Sequence, residues 1–383
     1  MKVTDIKTIR LRAGIPREGR VFSRSGIRST RSTTLVQVET DEQITGVGSS
    51  SGNGELVEFI IQRVLKPLII GMDPTDIEAI WDEAYTRAGH KEFGTRGIGV
   101  VALSGIDIAL WDILGKVRGL PLHQLLGGKC RDKVPVYATA LYPEDPAEVA
   151  AKARAFADQG FHGVKIKVGF DLSEDVRIVN AVRRELGADF VVMTDANQGY
   201  SLEVALQAAA AFSEAGAFWL EEPLFVEDVE GHATLRERCK VPIAVGENLH
   251  TCAAFRAFVV SGAVDFLQPD VARAGGITEV RKIADLAANH RLPISFHTWG
   301  DAVALAASVH LSSALQDCIV MELDYTYNPL REELLREPLR LERGFLTPPD
   351  KPGLGVELDA WTLERFAFSG SEEVAIRQRA LRH

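Results

Sequence analysis

Three acidic residues at a fixed interval are the feature of this chain that most directly suggests chemistry. Asp195, Glu221 and Glu247 are each 26 residues apart, and each closes a short apolar run of the kind that forms a buried strand. Carboxylate oxygens without thiolate or imidazole make a hard ligand set, which suits Mg²⁺ and, as a substitute, Mn²⁺. Helix caps would explain one or two of these acids, but not three in register. The sequence therefore predicts a divalent metal site.

Two lysines lie on another predicted strand, over 163–168, in the order Lys165-Ile166-Lys167. The two-residue period of a strand sends both lysines to one face. An exposed edge strand is the simpler explanation for an isolated pair, but a closed barrel has no edges. Two ammonium groups close together in a dry site repel each other, so we expect at least one lowered pKa. Lys167, nearer the end of the strand, is the predicted general base.

Asp270 and His297 end two further predicted strands, 27 residues apart. Asp270 would accept a hydrogen bond from one imidazole nitrogen, leaving the other to exchange a proton with a substrate. A single histidine after a strand is more often structural, but its place at the same end as the acids favours catalysis. Glu322 ends the last predicted strand, where it either hydrogen-bonds a substrate carboxylate when protonated or pairs with Lys165. The sequence leaves both interpretations of Glu322 open.

These residues need a scaffold that brings strand ends together. Eight strand candidates begin 23 to 29 residues apart, with helical stretches between them that close at glycines. This alternation predicts an α/β fold with a (β/α) barrel, in which the carboxyl ends of all strands meet at one mouth. The predicted strands are 134–138, 163–168, 190–195, 218–221, 243–247, 266–268, 294–296 and 319–322.

The flanking segments predict a second unit. Residues 1–48 contain two β-rich runs, and the stretch from about 54 to 126 is helical, with a buried apolar helix over 100–114. The 383 residues exceed the size at which a single core stops growing. We predict an α+β domain over 1–127 and a barrel over 128–345. The proline-rich segment 346–383 is expected to pack back on the first domain and complete it.

Composition narrows the class of protein. A formal net charge of −10 argues against nucleic acid and anionic membranes as partners. The four cysteines form no CxxC pair, which suits a reducing compartment. The first residues lack the apolar core of a signal peptide. We therefore expect a cytoplasmic protein that acts on a small molecule.

Taken together, the motifs resemble the mandelate racemase subgroup of the enolase superfamily over nearly the whole chain. The resemblance implies an α+β capping domain and a modified (β/α)₇β barrel of the TIM type. It also implies Mg²⁺, abstraction of the proton α to a carboxylate to give a metal-stabilised enediolate, and a homo-oligomer. The matching motifs are Lys165-Ile166-Lys167, Thr194-Asp195-Ala196-Asn197, Glu221-Glu222-Pro223, Gly246-Glu247-Asn248, Gln268-Pro269-Asp270, Gly275-Gly276-Ile277 and His297.

The resemblance also implies an activity. Lys167 and His297 would lie on opposite faces of the substrate, with Lys165 neutralising carboxylate charge. One group would take the α-proton while the other protonates a departing β-hydroxyl, which makes an acid-sugar dehydratase the favoured reading. Racemisation or epimerisation, in which the second group returns the proton, is the alternative. A non-catalytic metal-binding relative is less expected, because both opposing acid/base groups are retained.

Two predictions concern substrate contacts. By the resemblance, the loop between the first two strands closes over the substrate, and here it carries five arginines in an acidic protein. A bidentate arginine suits a second carboxylate, so we predict a diacid such as an aldarate, with Arg24 as the leading contact. A solvated surface loop is the alternative for any single arginine. Asn197, just past Asp195, is predicted to touch a metal ligand or the substrate.

Overall fold

The computed structural model describes residues 1–23 and 26–371, and it begins with an antiparallel sheet. The first strand pairs with the fourth and the fourth with the fifth, while the second and third form a separate hairpin. The middle of β4 is buried on both faces over residues 33–36, whereas β1 has partly exposed side chains between its buried ones. The strands are β1 (Val3–Gly14), β2 (Val21–Ser23), β3 (Gly26–Arg28), β4 (Thr30–Thr40) and β5 (Thr45–Ser50).

A group of helices covers this sheet. The longest, α5, is apolar on nearly every face because it is enclosed on all sides, and it confirms the predicted buried helix. It is long and apolar enough to cross a membrane, but 89% of its apolar window is buried inside the protein. The helices are α1 (Gly54–Ile60), α2 (Lys66–Ile69), α3 (Ile77–Trp81), α4 (Gly89–Phe93), α5 (Ile98–Arg118) and α6 (Leu122–Leu125), with π-helical turns at Ile61–Leu65 and Asp82–Arg87.

Helix α5 lies against β5 at very short range. A Cβ atom added at Gly48 would lie 1.9 Å from the carbonyl oxygen of Gly105, so only glycine allows this approach. The contact places α5 between the sheet and the barrel, where its polar side chains reach barrel elements.

The rest of the chain alternates strands with helices, as predicted, and forms a parallel barrel. Successive strands pair side by side, and the last strand pairs in parallel with the first barrel strand, which closes the ring. The strands are β6 (Val134–Leu141), β7 (Gly163–Lys167), β8 (Val191–Asp195), β9 (Leu220–Glu221), β10 (Ile243–Val245), β11 (Phe266–Leu267) and β12 (Met321–Asp324).

Several barrel helices start where the sequence provides a side-chain cap. Asp145, Asp171, Ser201 and Asp301 each accept hydrogen bonds from backbone N–H groups of the first turn. The helices are α7 (Pro146–Asp158), α8 (Leu172–Leu186), α9 (Leu202–Glu214), α10 (Val229–Arg238), α11 (Thr251–Val260), α12 (Gly276–Asn289), α13 (Ala302–Ala314) and α14 (Pro329–Glu332).

The strand predicted over 294–296 is much shorter than expected. Within the described residues it consists of bridges from Ile294 to Leu267 on one side and to Cys318 on the other. Pro293, just before it, has no N–H to donate, which limits the ladder at this point. Backbone bonds from Ser295 to Leu267 and from Ile319 to Ile294 nevertheless keep the ring continuous.

The final segment returns to both parts of the molecule. β13 (Leu341–Glu342) and β14 (Phe345–Leu346) form a hairpin, and β14 pairs antiparallel with β6. After α15 (Ala360–Phe366), Ala367 bridges to Leu11 of β1. We propose the division into a capping domain over 1–127, completed by 346–383, and a barrel over 128–345. Residues 372–383 lie outside the described part.

Candidate active site

The three spaced acids lie together at the carboxyl end of the barrel. Asp195 and Glu221 are the last residues of β8 and β9 and are direct neighbours in the ladder. Glu247 follows β10 after Gly246, which has a φ of 155° and where an added Cβ atom would lie 2.5 Å from the Gln268 backbone, so this position requires glycine. Carboxylate oxygens of the three acids lie within 4.8 Å of one another, and all three residues are buried.

The two lysines point into the same cluster. Lys165 is fully buried, with its Nζ 2.8 Å from an oxygen of Glu221 and 2.8 Å from one of Glu322. Lys167 pairs with Asp195, its neighbour across the β7–β8 ladder. The inward direction predicted from the alternation is therefore what the structure shows.

The expected lowered lysine pKa is wrong for the protein as described. Burial lowers the pKa of both lysines, but the surrounding carboxylates outweigh it, chiefly Glu221 at Lys165 and Asp195 at Lys167, so both values lie above the usual one. The mutual repulsion considered in the sequence is the smaller effect, because each ammonium faces acids more closely than it faces the other lysine. A divalent cation would compete with the lysines for the same oxygens.

His297 and Asp270 form the predicted pair. The Nδ1 atom of His297 is 2.7 Å from an oxygen of Asp270, and its Nε2 is 3.1 Å from an oxygen of Glu247. Burial lowers the pKa of His297, but Glu247 and then Glu322 outweigh it and raise the value well above normal. The imidazole is thus held between its orienting aspartate and the acidic cluster, ready to carry a proton.

Glu322 is an ionised partner of Lys165 in this structure. It accepts hydrogen bonds from the Thr139 hydroxyl and from the backbone N–H of Thr298, 3.1 Å away. Burial raises its pKa, but Lys165 and His297 outweigh burial and lower it to about 2. Of the two interpretations that the sequence left open, the ion pair is the one present here.

Two of the side chains that hold the acids in place are Asn197, which was predicted to touch a metal ligand or the substrate, and Gln268, which was not predicted. Asn197, with a left-handed φ of 40°, donates from its backbone to Asp195 and from its amide to Glu247, so it touches two of the three acids. Gln268, fully buried, donates to Glu221 over 2.7 Å. Gln268 stands two residues before Asp270 in the sequence, and that position beside a predicted strand end was the available signal.

The arrangement fits a divalent cation. Within the described residues, buried carboxylates outnumber the cationic side chains in this cluster, so their charge is incompletely balanced. Burial, and then the neighbouring Asp195, raise the pKa of Glu221 to about 8. Three oxygen ligands on adjacent strands match the preference of Mg²⁺ or Mn²⁺. Asp195, Glu221 and Glu247 would hold the ion.

A cavity of about 530 Å³ opens above the cluster, between the barrel and the capping domain. Asp270 and His297 line one side, while Arg28 and Arg31 reach it from the capping domain. Both guanidinium groups lie over the ring of Trp299, at 4.5 and 4.0 Å from its centre. Arg24, the predicted substrate contact, lies outside the described residues.

Fold and site together define a barrel enzyme with a capping domain and an acidic metal site at the strand ends. Comparison with family models agrees. Residues 6–127 match the N-terminal domain of mandelate racemase and muconate lactonizing enzyme, and residues 148–362 match the enolase C-terminal domain-like model. The chain belongs to the mandelate racemase subgroup of the enolase superfamily, whose members bind Mg²⁺, and it is an enzyme of this group.

Individual relatives cover almost the same length. D-galactarolactone cycloisomerase of Agrobacterium fabrum is 37% identical over 379 residues, covering 96% of this chain and 99% of the relative. L-talarate/galactarate dehydratase of Salmonella typhimurium is 37% identical, and the match covers 85% of this chain and 80% of the relative. The crystal structure of a racemase from Streptomyces coelicolor with bound magnesium superposes with a TM-score of 0.87, at 31% identity, over 96% and 100% of the chains.

Proposed function

We propose that this protein removes the proton α to the carboxylate of a sugar acid and expels the β-hydroxyl as water. One observation carries the proposal: a lysine and a histidine, each able to move a proton, both reach the same buried acidic cluster. A bound Mg²⁺ would stabilise the negative charge that develops on the substrate carboxylate when the α-proton leaves. The relatives named as dehydratases of sugar acids support this assignment.

The residues divide the work by position. Lys167, at the end of β7, would take the α-proton through a neutral Nζ, a form that becomes accessible when a bound cation, in place of this ammonium, neutralises Asp195. His297 gives a proton through Nε2 to the departing hydroxyl, while Asp270 holds Nδ1 and keeps the ring oriented. Lys165, fully buried, supplies positive charge beside the substrate carboxylate, and Glu322 keeps that ammonium in position. We propose Asn197 as a support for Asp195 and Glu247.

The same proton abstraction supports two alternatives. If the β-substituent is a ring oxygen, its expulsion opens the ring without loss of water. The similarity to a cycloisomerase over 96% of this chain supports this alternative. If His297 returns a proton to the α-carbon instead, the product is the epimer. A racemase among the structural relatives keeps this alternative open.

A screen in deuterated water separates these outcomes. The protein, with Mg²⁺, is incubated with a panel of aldonic and aldaric acids and their lactones, and products are followed by NMR and mass spectrometry. Deuterium incorporation together with the loss of a water molecule indicates dehydration. Ring opening without mass loss indicates cycloisomerisation, and inversion at the α-carbon indicates epimerisation. Absence of exchange with every acid would refute the proposal.

Two variants test the assignment of roles. Lys167→Ala and His297→Asn should each reduce turnover by at least about 10²-fold to 10⁴-fold, the usual contribution of a general acid or base. Calorimetric titration with Mn²⁺ should still show one bound ion, because neither side chain is a ligand. Wild-type activity in both variants would contradict the mechanism.

A further inference from the structure

The guanidinium group of Arg28 lies in the mouth cavity. Among residues 1–23 and 26–371, Arg28 forms no ion pair, and its described contact is the face of Trp299, 4.5 Å from the ring centre. Its pKa is lowered by burial and then by the positive charge of Arg31, while the side chain as a whole remains open to solvent. An unpaired cation at this place favours an anion from outside the protein.

Arg31, next to it on the same aromatic ring, is different. Its guanidinium pairs with Asp324 at 3.0 Å and also donates to the carbonyl oxygen of Tyr327. Both members of this pair are buried. Arg31 is therefore engaged with the barrel, whereas Arg28 forms no such pair among the described residues.

A second guanidinium lines the same cavity. Arg273, after β11, donates through one nitrogen to the amide oxygen of Asn248 at 3.0 Å, and it forms no ion pair within the part of the chain that the structure describes. A neutral amide leaves the charge of Arg273 uncompensated. Arg28 and Arg273 thus make one side of the cavity positive, whereas Asp270 and the acidic cluster make the other side negative.

From this geometry we infer that Arg28, supported by Arg273, binds the second carboxylate of a dicarboxylic sugar acid. The inference rests on the proposed function and adds the substrate class to it. The first carboxylate would lie at the acidic cluster, and the chain of the sugar would extend through the cavity of about 530 Å³, a size common for small-ligand sites. Arg28 is the residue to which we assign this specificity, and Arg24, which lies outside the described residues, stays a prediction.

A planar carboxylate suits this arrangement better than a hydroxyl group. Stacking on Trp299 holds the guanidinium by its face and leaves its N–H edge free for two parallel hydrogen bonds. A hydroxyl has a single oxygen, so it cannot match two parallel N–H groups as a carboxylate does, and it carries no charge. A phosphate shares the negative charge, so the experiment must distinguish the two anions.

The test compares substrates that differ at one carbon. Galactarate and galactonate, and glucarate and gluconate, differ only in whether C6 is a carboxylate or a CH₂OH group, and 6-phosphogluconate adds a phosphate there. Wild-type kcat/KM should be at least about 10-fold higher for the diacid of whichever pair is turned over. Arg28→Met should lower kcat/KM for the diacid by about 10-fold to 100-fold and for the matched monoacid by less than about 3-fold.

Controls separate recognition from folding. Arg20→Met, in the same loop but outside the cavity, should leave kcat/KM unchanged for both the diacid and the monoacid. Arg28→Lys should recover only part of the lost kcat/KM for the diacid, because an ammonium lacks the two parallel N–H groups of a guanidinium. Circular dichroism and melting temperature verify that each variant is folded. Equal losses on both members of a pair, or a preference for the monoacid or the phosphate, would overturn the inference.

A binding measurement keeps the two proposals distinct. Calorimetry on Lys167→Ala and on Lys167→Ala/Arg28→Met, with Mg²⁺, compares the affinities for diacid and monoacid when turnover is blocked. If no acid is turned over by the wild type, the proposed function fails, and tighter diacid binding that depends on Arg28 would still support the subsite. Equal binding of diacid and monoacid would reject the subsite alone.

Discussion

At the scale of residues, the acids and lysines were predictable because a parallel ladder fixes their positions. Residues that end neighbouring strands are ladder partners, as Lys167 is of Asp195 and Asp195 of Glu221. Equal spacing along the chain thus becomes proximity at the mouth. The proximity of Asp195 to Glu221 and the inward direction of the lysines follow from this pairing, whereas Glu247 joins the cluster from beyond the end of β10.

The sequence could not predict the electrostatic balance or the supporting contacts. The lysine pKa values depend on distances to several carboxylates at once, which spacing does not supply. The approach of Arg28 and Arg31 to Trp299 joins the capping domain to a loop more than 260 residues later in the chain. Such contacts depend on how two domains meet, and no local pattern encodes that.

Gln268 provides a test of the support for the metal site. Its amide donates to Glu221, which orients that carboxylate. Gln268→Leu should weaken Mn²⁺ binding by about 10-fold to 100-fold, as removal of an orienting hydrogen bond usually does. Calorimetric titration measures the affinity, and Gln198→Leu, which removes a donor to Glu222 instead, is the matched control. An unchanged affinity in Gln268→Leu would remove this residue from the site.

At the scale of elements, three polar contacts fasten the capping domain to the barrel. Arg31 of β4 pairs with Asp324 of β12. The hydroxyls of Thr33 and Ser49 donate to Asp301, which also caps α13. Each contact joins the capping sheet to an element at the mouth, so together they fix the height of the sheet above the catalytic cluster.

Breaking the Arg31–Asp324 pair should be costly. Arg31→Met leaves Asp324 buried without its cation, and we expect the free energy of unfolding to fall by about 3–5 kcal/mol. Urea unfolding followed by fluorescence measures it. The double variant Arg31→Met/Asp324→Asn removes both charges and should recover part of the loss. A double variant as unstable as the sum of both single variants would show that the two charges do not interact.

Helix α5 makes a further connection, with a pH dependence. Asp107 accepts hydrogen bonds from the N–H and the hydroxyl of Thr278, at 3.0 and 2.5 Å, and so caps barrel helix α12 from the other domain. Burial raises its pKa to about 7, although the bonds from Thr278 oppose this. Between about pH 4 and 7 the folded protein keeps a proton that the unfolded chain has released.

The contribution of this protonated carboxyl to the free energy of unfolding is therefore complete at low pH and is lost as the pH rises to about 7. Asp107→Asn cannot titrate, so its free energy of unfolding relative to wild type should increase with pH over that window, by at most about 1.4 kcal/mol per pH unit, and stay constant above it. Urea unfolding of both proteins between pH 4.5 and 8.5 measures this difference. A difference that does not vary with pH would contradict the prediction.

At the scale of the whole molecule, the barrel with its capping domain was predictable from the sequence. The way in which the strands pair to close the barrel ring was not. The strand rhythm gave the number and order of the barrel units, and glycines marked the helix ends, as at Gly187, which has a φ of 80°. Strand length was overestimated at Ile294, because apolar pattern alone does not show where ladder bonding stops. Closure through β12 and β6 depends on the whole ring.

Metal should stabilise the entire protein. An ion bound by Asp195, Glu221 and Glu247 favours the folded state by mass action, by about 2.7 kcal/mol at a concentration 100 times Kd. The melting temperature in Mg²⁺ should therefore exceed that in EDTA. The matched control is Asp195→Asn, in which the shift should be much smaller. An equal shift in both proteins would place the stabilising ion elsewhere.

Assembly remains a prediction. Leu56 and Phe59 lie three residues apart on α1 and are 52% and 60% exposed, which is unusual for large apolar side chains on a helix. We expect a homo-oligomer, with a native mass that is a multiple of 41.9 kDa. Light scattering coupled to size-exclusion chromatography measures it, and a mass of one chain at micromolar concentration would contradict the prediction.

The separation of Arg28 from the barrel strands has an evolutionary consequence. The proposed proton transfer would use side chains at the ends of the barrel strands, whereas the arginine proposed to select the substrate is carried on the short hairpin of β2 and β3. Mutations in that hairpin could change which acid is bound without changing the residues proposed to carry out the reaction. A lineage with this architecture can therefore acquire a new nutrient through a few changes in one small segment, while the inherited chemistry stays intact.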